Sequence, residues 1–354
     1  MTAYDALLIV SFGGPEGPDD VVPFLRNVTR GRDIPEERLR VVGQHYFHFD
    51  GVSPINGQNR ELVAALRDEL AARHLDLPVS WGNRNWTPFL DEAIAQLKGD
   101  GAQRVLTFFT SAYSSYSGCR QYRENLADAT AGDSGLAIDR IGPYWNHAGF
   151  LEPFVDATVV ALDDLPDSAR AAARLLFSTH SLPTSLAESS GPDGGAYVAQ
   201  HHAAAQWVAE QVNLRTGEDH AWELVFQSRS GPPHQPWLEP DVGARAVQLH
   251  SEGAAAVVVV PIGFVSDHME VLWDLDVQAR EQAEEVGLPY ARAATPGTDP
   301  RFVSMVVDLV QERLDDVPVT DRVRLLEDAA PDRCRAGCCP NPRGPRPAVG
   351  GDDG

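Results

Sequence analysis

A histidine and a glutamate, each following an apolar stretch, are the residues of this sequence best suited to chemistry. His180 lies in Phe177-Ser178-Thr179-His180-Ser181-Leu182-Pro183, and Glu270 ends Gly263-Phe264-Val265-Ser266-Asp267-His268-Met269-Glu270. Neutral imidazole titrates near pH 6.5, so it can accept a proton or bind a metal at cellular pH. The competing role for His180 is structural, a cap hydrogen-bonded to the next turn. Glu270, Asp274 and Glu281 share one face of an expected helix. Such a carboxylate ladder suits hard or borderline cations that prefer oxygen ligands. In so acidic a chain, Asp274 and Glu281 also read as a solvated face, whereas Glu270 sits at the helix start. A serine-hydrolase reading of Thr179-His180-Ser181 is weak. There is no G-x-S-x-G elbow, and sequence neighbours rarely give nucleophile and base the needed reach. Of the four cysteines, Cys334, Cys338 and Cys339 fall within six residues, the spacing of ligands rather than of core packing, and Cys119 stands apart. With no secretion signal in sight, a disulfide framework is not expected.

Short apolar segments alternating with amphipathic helices must position these groups. Strands are expected at residues 6–12, 78–82, 104–111, 137–142, 174–181, 223–228, 255–264 and 289–293. Helical patterns fall at 58–74, 90–97, 150–165, 200–212, 242–251, 271–286 and 301–314. Leu62, Leu66 and Leu70 recur every four residues, the apolar stripe of a helix laid on a sheet. Val257-Val258-Val259-Val260 is the continuous apolar run of a buried parallel strand. Four strands and then four more, separated by helices, read as an α/β fold. The expectation is two doubly wound, Rossmann-like lobes, each with a four-stranded parallel sheet, and an active-site cleft between them. The expected organisation is an N-terminal lobe over 1–145, a second lobe over 146–300, a helix over 301–317 packing back on the lobes, and an extension over 318–354. The extension is rich in Pro, Gly and Arg, so no packed element is expected after about Arg343. Ligands of such sheets bind beyond the carboxyl ends of the strands. That rule selects residues 11–14, 111–119, 179–182 and 263–270, which should face one cleft.

Composition narrows the function. A net charge of −22 over 354 residues argues against nucleic acid, which demands a basic footprint, and against anionic lipid. The longest apolar run, 254–264, is far short of the roughly 20 residues of a membrane span. The N-terminus shows no basic region followed by an apolar stretch, so a cytoplasmic enzyme is expected. No G-x-G-x-x-G follows a strand. Ser11-Phe12-Gly13-Gly14-Pro15 lacks that spacing, and its glycines serve either a tight turn or the close approach of a flat ligand.

Ser11-Phe12-Gly13-Gly14-Pro15, His45-Tyr46, Gly51-Val52-Ser53-Pro54-Ile55-Asn56, Ser114-Ser115-Tyr116-Ser117, Ser178-Thr179-His180-Ser181-Leu182-Pro183 and the 263–272 segment occur in one order. In that order they resemble the ferrochelatase family across residues 6 to 315. The resemblance implies two similar α/β lobes holding a porphyrin between them, with His180 and Glu270 binding the substrate Fe²⁺ and handling the two pyrrole protons. It implies that Ser53 and Tyr122 contact the porphyrin propionates. Arg30, Arg32, Arg120 and Arg123 are further candidates, because guanidinium pairs with carboxylate in a fork, although ordinary surface charge explains them too. Asp274 with Glu281 would give iron an aqueous route. Phe12 stands where some relatives carry tyrosine, so a tyrosine metal ligand from that loop is absent.

Four thiolates can hold a [2Fe–2S] cluster, and Cys119, Cys334, Cys338 and Cys339 resemble the ligand set of the ferrochelatases that carry one. A structural zinc site or a redox thiol pair are the alternatives. The cluster's expected work is to tie the tail to the fold, with sensing as a second role. The chain is similar to actinobacterial members, whose substrate is coproporphyrin III, and residues 80–120 hold no apolar lip for membrane docking. The alternatives are a protoporphyrin IX enzyme, a chelatase for another metal such as cobalt, and a non-catalytic tetrapyrrole carrier. Expected partners are the porphyrin, Fe²⁺ and, transiently, neighbouring heme-pathway enzymes.

Overall fold

All eight expected strands form in the computed structural model, which describes residues 3–32, 34–130, 135–232 and 234–352. β1 (Ala6–Ser11), β2 (Val79–Asn83), β3 (Arg104–Phe109) and β4 (Ala137–Arg140) pair in the order β2-β1-β3-β4. β5 (Arg174–His180), β6 (Trp222–Gln227), β7 (Val257–Val260) and β8 (Tyr290–Arg292) pair as β6-β5-β7-β8. Every pairing is parallel. The two orders match position for position, so the α/β fold is one plan built twice.

Burial explains the strands. Every residue of β1 and of β7 is buried, as helices on both faces of a parallel sheet require. β7 ends sooner than the apolar run suggests, because Pro261 has no N–H to continue the ladder. The chain leaves the sheet there and carries residues 263–270 across the cleft. The Ile55–Ala72 helix buries Leu62, Leu66 and Leu70 on the first sheet, and the Pro300–Leu314 helix packs against both Ile55–Ala72 and Ala148–Asp163.

Three features depart from expectation. First, residues 271–286 are not one regular helix: Leu272–Ala279 is a π-helix between the short α-helices Met269–Val271 and Arg280–Glu285. A π-turn adds a residue, so a ladder counted at α spacing loses its register. Asp274 is half-buried and Glu281 is exposed. Second, the helices Pro18–Val28 and Glu36–Phe47 pack on each other through Val21, Phe24, Leu25, Leu39 and Tyr46. Met269 of the second lobe joins that cluster, so this pair binds the two lobes beside Glu270.

Third, the tail beyond Arg343 packs. Ala348 is buried, and Gly351 bridges to Cys334. Arg123 Nε donates to the Val349 carbonyl at 2.6 Å, and Arg120 Nη2 to the Arg346 carbonyl at 2.8 Å. Composition misleads at this point because the tail's backbone is satisfied by Arg120 and Arg123 of the first lobe and by a single bridge between Cys334 and residues 350–352, without an extended sheet. The same contacts take Arg120 and Arg123 away from the role of cleft-facing carboxylate donors.

Candidate active site

His180 is the last residue of β5, and its ring is fixed from below. Nδ1 lies 2.5 Å from the Ser181 carbonyl. A carbonyl only accepts, so Nδ1 carries the hydrogen, and in the neutral ring Nε2 then keeps its lone pair. The backbone at His180 is held by Tyr197, whose hydroxyl donates to the His180 carbonyl at 2.8 Å. Thr179 Oγ1 sits 2.8 Å from the Tyr197 hydroxyl and 2.9 Å from His201 Nε2. Gly263 passes so close to Thr179 that a Cβ there would collide with the hydroxyl, which is why the crossing segment needs glycine at that point.

That segment delivers Glu270. His268 caps the short helix, its Nδ1 accepting from the Glu270 N–H at 3.2 Å. His180 Nε2 then faces Glu270 Oε2 at 3.7 Å, and the side chains remain 32% and 48% exposed. An unprotonated imidazole nitrogen beside an accessible carboxylate can take up two protons or hold a cation through two ligands, leaving its other positions open. Asp274 lies one turn deeper. Burial pushes its carboxyl up to about 7, against the pull of the Ser228 hydroxyl bonded to it, and the Glu270 charge adds to the rise. Burial also lowers the His268 imidazole.

The other strand ends converge less uniformly. Gly14 packs against Ser53 so tightly that a Cβ would lie 2.6 Å from the Ser53 Cβ, and the Ser53 N–H donates to the Pro15 carbonyl. Tyr122 is buried, stacked on Phe109 and covered by the Arg84 guanidinium, which also lies over Phe12. Ser53 and Tyr122 thus both flank the Ser11–Pro15 turn. Arg30 and Arg32 are exposed on the loop after Pro18–Val28, and Arg30 bonds Asn27. Residues 111–119 do not simply line the cleft. The Tyr113 hydroxyl donates to the Ile262 carbonyl, its ring stacks on His201, and Ser114 exchanges hydrogen bonds with Gln200. Two groups were invisible in the sequence: Arg84, and Trp273, which stacks on His45 at 4.3 Å. Nothing in their local patterns marks them, since each gains its role from a partner on another element.

The cysteines form a second centre. All four are unbridged and buried, and Cys334, Cys338 and Cys339 pack together. Hydrogen bonds from Cys119 and Cys338 hold the Cys334 thiol far below its usual range, with Arg140 adding to the effect. Sγ of Cys338 and of Cys339 are 3.9 Å apart, and Cys339 Sγ accepts the Gly191 N–H at 3.0 Å. Among the described residues no three His, Cys, Asp or Glu side chains form a ready site for a single metal ion, so this centre stands on its pairwise contacts. A shallow cavity of about 520 Å³ lies elsewhere, between Arg67 and Val79 at the amino end of β2, away from both centres.

The sequence model of the ferrochelatase family matches residues 4–314. The chain belongs to the ferrochelatase family. As a ferrochelatase it is a metal chelatase, a lyase, and the family match spans both sheets. It is 57% identical to the coproporphyrin III ferrochelatase of Streptomyces coelicolor over 99% of this chain and 96% of that one. It is 51% identical to the protein of that name from Leifsonia xyli, over 99% and 94% of the two chains. The sirohydrochlorin chelatase SirB of Bacillus subtilis subspecies spizizenii has the same fold, with a TM-score of 0.50 at 13% identity over 89% of this chain and 97% of that one. No helix among the described residues is long and apolar enough to cross a membrane.

Proposed function

We propose that this ferrochelatase inserts Fe²⁺ into coproporphyrin III to give coproheme, with His180 as proton acceptor and Glu270 as metal ligand and second proton carrier. The observation that carries the reading is the meeting of the His180 Nε2 lone pair, at the end of β5, and the Glu270 carboxylate, on the short Met269–Val271 helix, at 3.7 Å. Each Fe²⁺ that enters releases two pyrrole protons, and two acceptors stand side by side. A planar porphyrin directs its nitrogen lone pairs into the ring plane, and its N–H groups are weak acids. Bending the macrocycle exposes the lone pairs. Strain of roughly 1–5 kcal/mol can be drawn from binding at the ring periphery, where Ser53 and Tyr122 are the proposed propionate contacts. Asp274, partly protonated near neutrality, is suited to relay protons or iron behind Glu270.

The name shared by relatives at 46–57% identity supports coproporphyrin III, as does a net charge of −22, which disfavours docking on an anionic lipid surface. A cytoplasmic setting suits this tetra-acid substrate. The four buried thiols beside the buried Arg140 fit an anionic tetrathiolate group, and the reading is that Cys119, Cys334, Cys338 and Cys339 hold a [2Fe–2S] cluster. Such a cluster, when bound, supplies a one-electron couple and a covalent tie between tail and lobe. Cys119 anchors that tie in the first lobe, and Cys339, through Gly191, brings it against the second.

Anaerobic assays with Fe²⁺ and with Co²⁺, following the disappearance of coproporphyrin III or protoporphyrin IX, test the proposal. Faster consumption of coproporphyrin III with Fe²⁺ is expected. Preferential use of protoporphyrin IX would overturn the substrate assignment.

A further inference from the structure

Arg140 ends β4 and is buried to 1% exposure. A guanidinium remains charged in any folded protein, and a buried charge without a counter-charge is strongly destabilising. The charges acting most strongly on Arg140 are the sulfurs of Cys119, Cys334, Cys338 and Cys339. Nη2 donates to Cys334 Sγ at 3.0 Å and to the Pro331 carbonyl at 3.3 Å. Nε and Nη1 are also buried, and neither has a hydrogen-bond partner. Gly350, at φ +66°, lies against the aliphatic stem, so the tail roofs the side chain in place. The arginine therefore presents a fixed positive charge and two donor nitrogens without a partner, and among the described residues the charges that act most strongly on it are those of the four cysteine sulfurs. Reduced, protonated thiols would leave both the charge and the donors uncompensated.

We propose that Arg140 is the anion-binding residue of the thiol centre, neutralising an iron–sulfur group there and setting its reduction potential. The proposal rests on the reading that the four cysteines hold a [2Fe–2S] cluster. Two ferric ions, two sulfides and four thiolates sum to a charge of −2. One electron converts one ferric ion to ferrous and takes the sum to −3. A buried positive charge favours the −3 state over the −2 state, and N–H donors to sulfur act in the same direction, so Arg140 raises the midpoint potential. Its absence also leaves the −2 group less well compensated, so the cluster is lost more readily.

The test uses the full chain purified without oxygen, as wild type, Arg140→Lys and Arg140→Met. Visible absorbance with iron and sulfide content per chain reads occupancy, and a mediated titration with dithionite reads the midpoint potential. Arg140→Met is expected to have a lower midpoint potential and to lose cluster absorbance at least twofold faster in air. Arg140→Lys keeps the charge with fewer donors and should fall between. If Arg140→Met does not accumulate as folded protein, Arg140→Lys decides, again by a lowered potential. Variants matching a cluster-loaded wild type in both potential and retention overturn the role of Arg140. Wild type lacking the absorbance, iron and sulfide overturns the cluster reading itself.

Discussion

The His180–Glu270 centre and the thiol centre are built oppositely. The first joins two side chains that keep 32% and 48% of their surface, each fixed through backbone contacts and otherwise open. The second sinks four cysteines and an arginine to 7% exposure or less, under a tail that adds its own carbonyls and N–H groups. Each is anchored at one strand end, His180 on β5 and Arg140 on β4, so position in the fold does not separate them. What separates them is water. A centre that must admit and release an ion keeps its ligands hydrated, because a fully desolvated carboxylate would neutralise itself. A centre that retains its group gains from exclusion of water, where each sulfur–donor contact is stronger.

That contrast can be broken most sharply at His180. His180→Ala should lower iron insertion at least a hundredfold, within the roughly 10²–10⁴-fold range of general-base catalysis, while porphyrin binding measured by fluorescence quenching persists. Retained turnover would remove the imidazole from the chemistry. A smaller effect tests the support beneath it. Gly263→Ala places a methyl against Thr179 and should cost about 1–3 kcal/mol in urea unfolding, with turnover falling as the crossing segment shifts. An unchanged midpoint would mean that the segment yields freely. Tyr197→Phe removes the donor to the His180 carbonyl and should cost about 1–2 kcal/mol, with insertion reduced and cluster absorbance intact. Loss of the absorbance would show that the two centres are not separable.

The smallest expected effect is a pH slope. Burial lowers the His201 imidazole to about 3, so the native state stays neutral while the unfolded chain takes up a proton near pH 6.5. The unfolded state then binds more protons, and stability falls as pH drops below about 6.5, by about 1.4 kcal/mol per unit from this group until about pH 3. Urea midpoints at pH 7.5 and 5.5 measure it, and His201→Gln should flatten the slope. An equal slope in the variant would assign it to other groups.

Much of this was legible in the chain because it is local. Strands such as 257–260 announce themselves by continuous β-branched residues, and the leucines at 62, 66 and 70 by their spacing. The helix pair Pro18–Val28 and Glu36–Phe47 went unread although Val21, Phe24, Leu25 and Val28 keep helical spacing, because Pro23 interrupts the first helix and the shared core is completed by Met269 of the other lobe. The π-helix was hidden because a shift from four-residue to five-residue hydrogen bonding leaves no mark on residue identity. The tail was misread because its order comes from Arg120, Arg123 and the cysteines rather than from itself.

By itself, then, the sequence determined the alternation of strands and helices, the placement of His180 at a strand end and of Glu270 at a helix start, and the supply of four thiols. Only the tertiary structure decided that Nε2 rather than Nδ1 faces Glu270, that Asp274 is drawn inward onto Ser228 while Glu281 is left exposed, and that Arg140 stands among the sulfurs. The division follows from range. Periodicity and backbone chemistry act between neighbours along the chain, whereas burial, tautomer and counter-charge depend on groups that sheet order and packing bring together from distant segments.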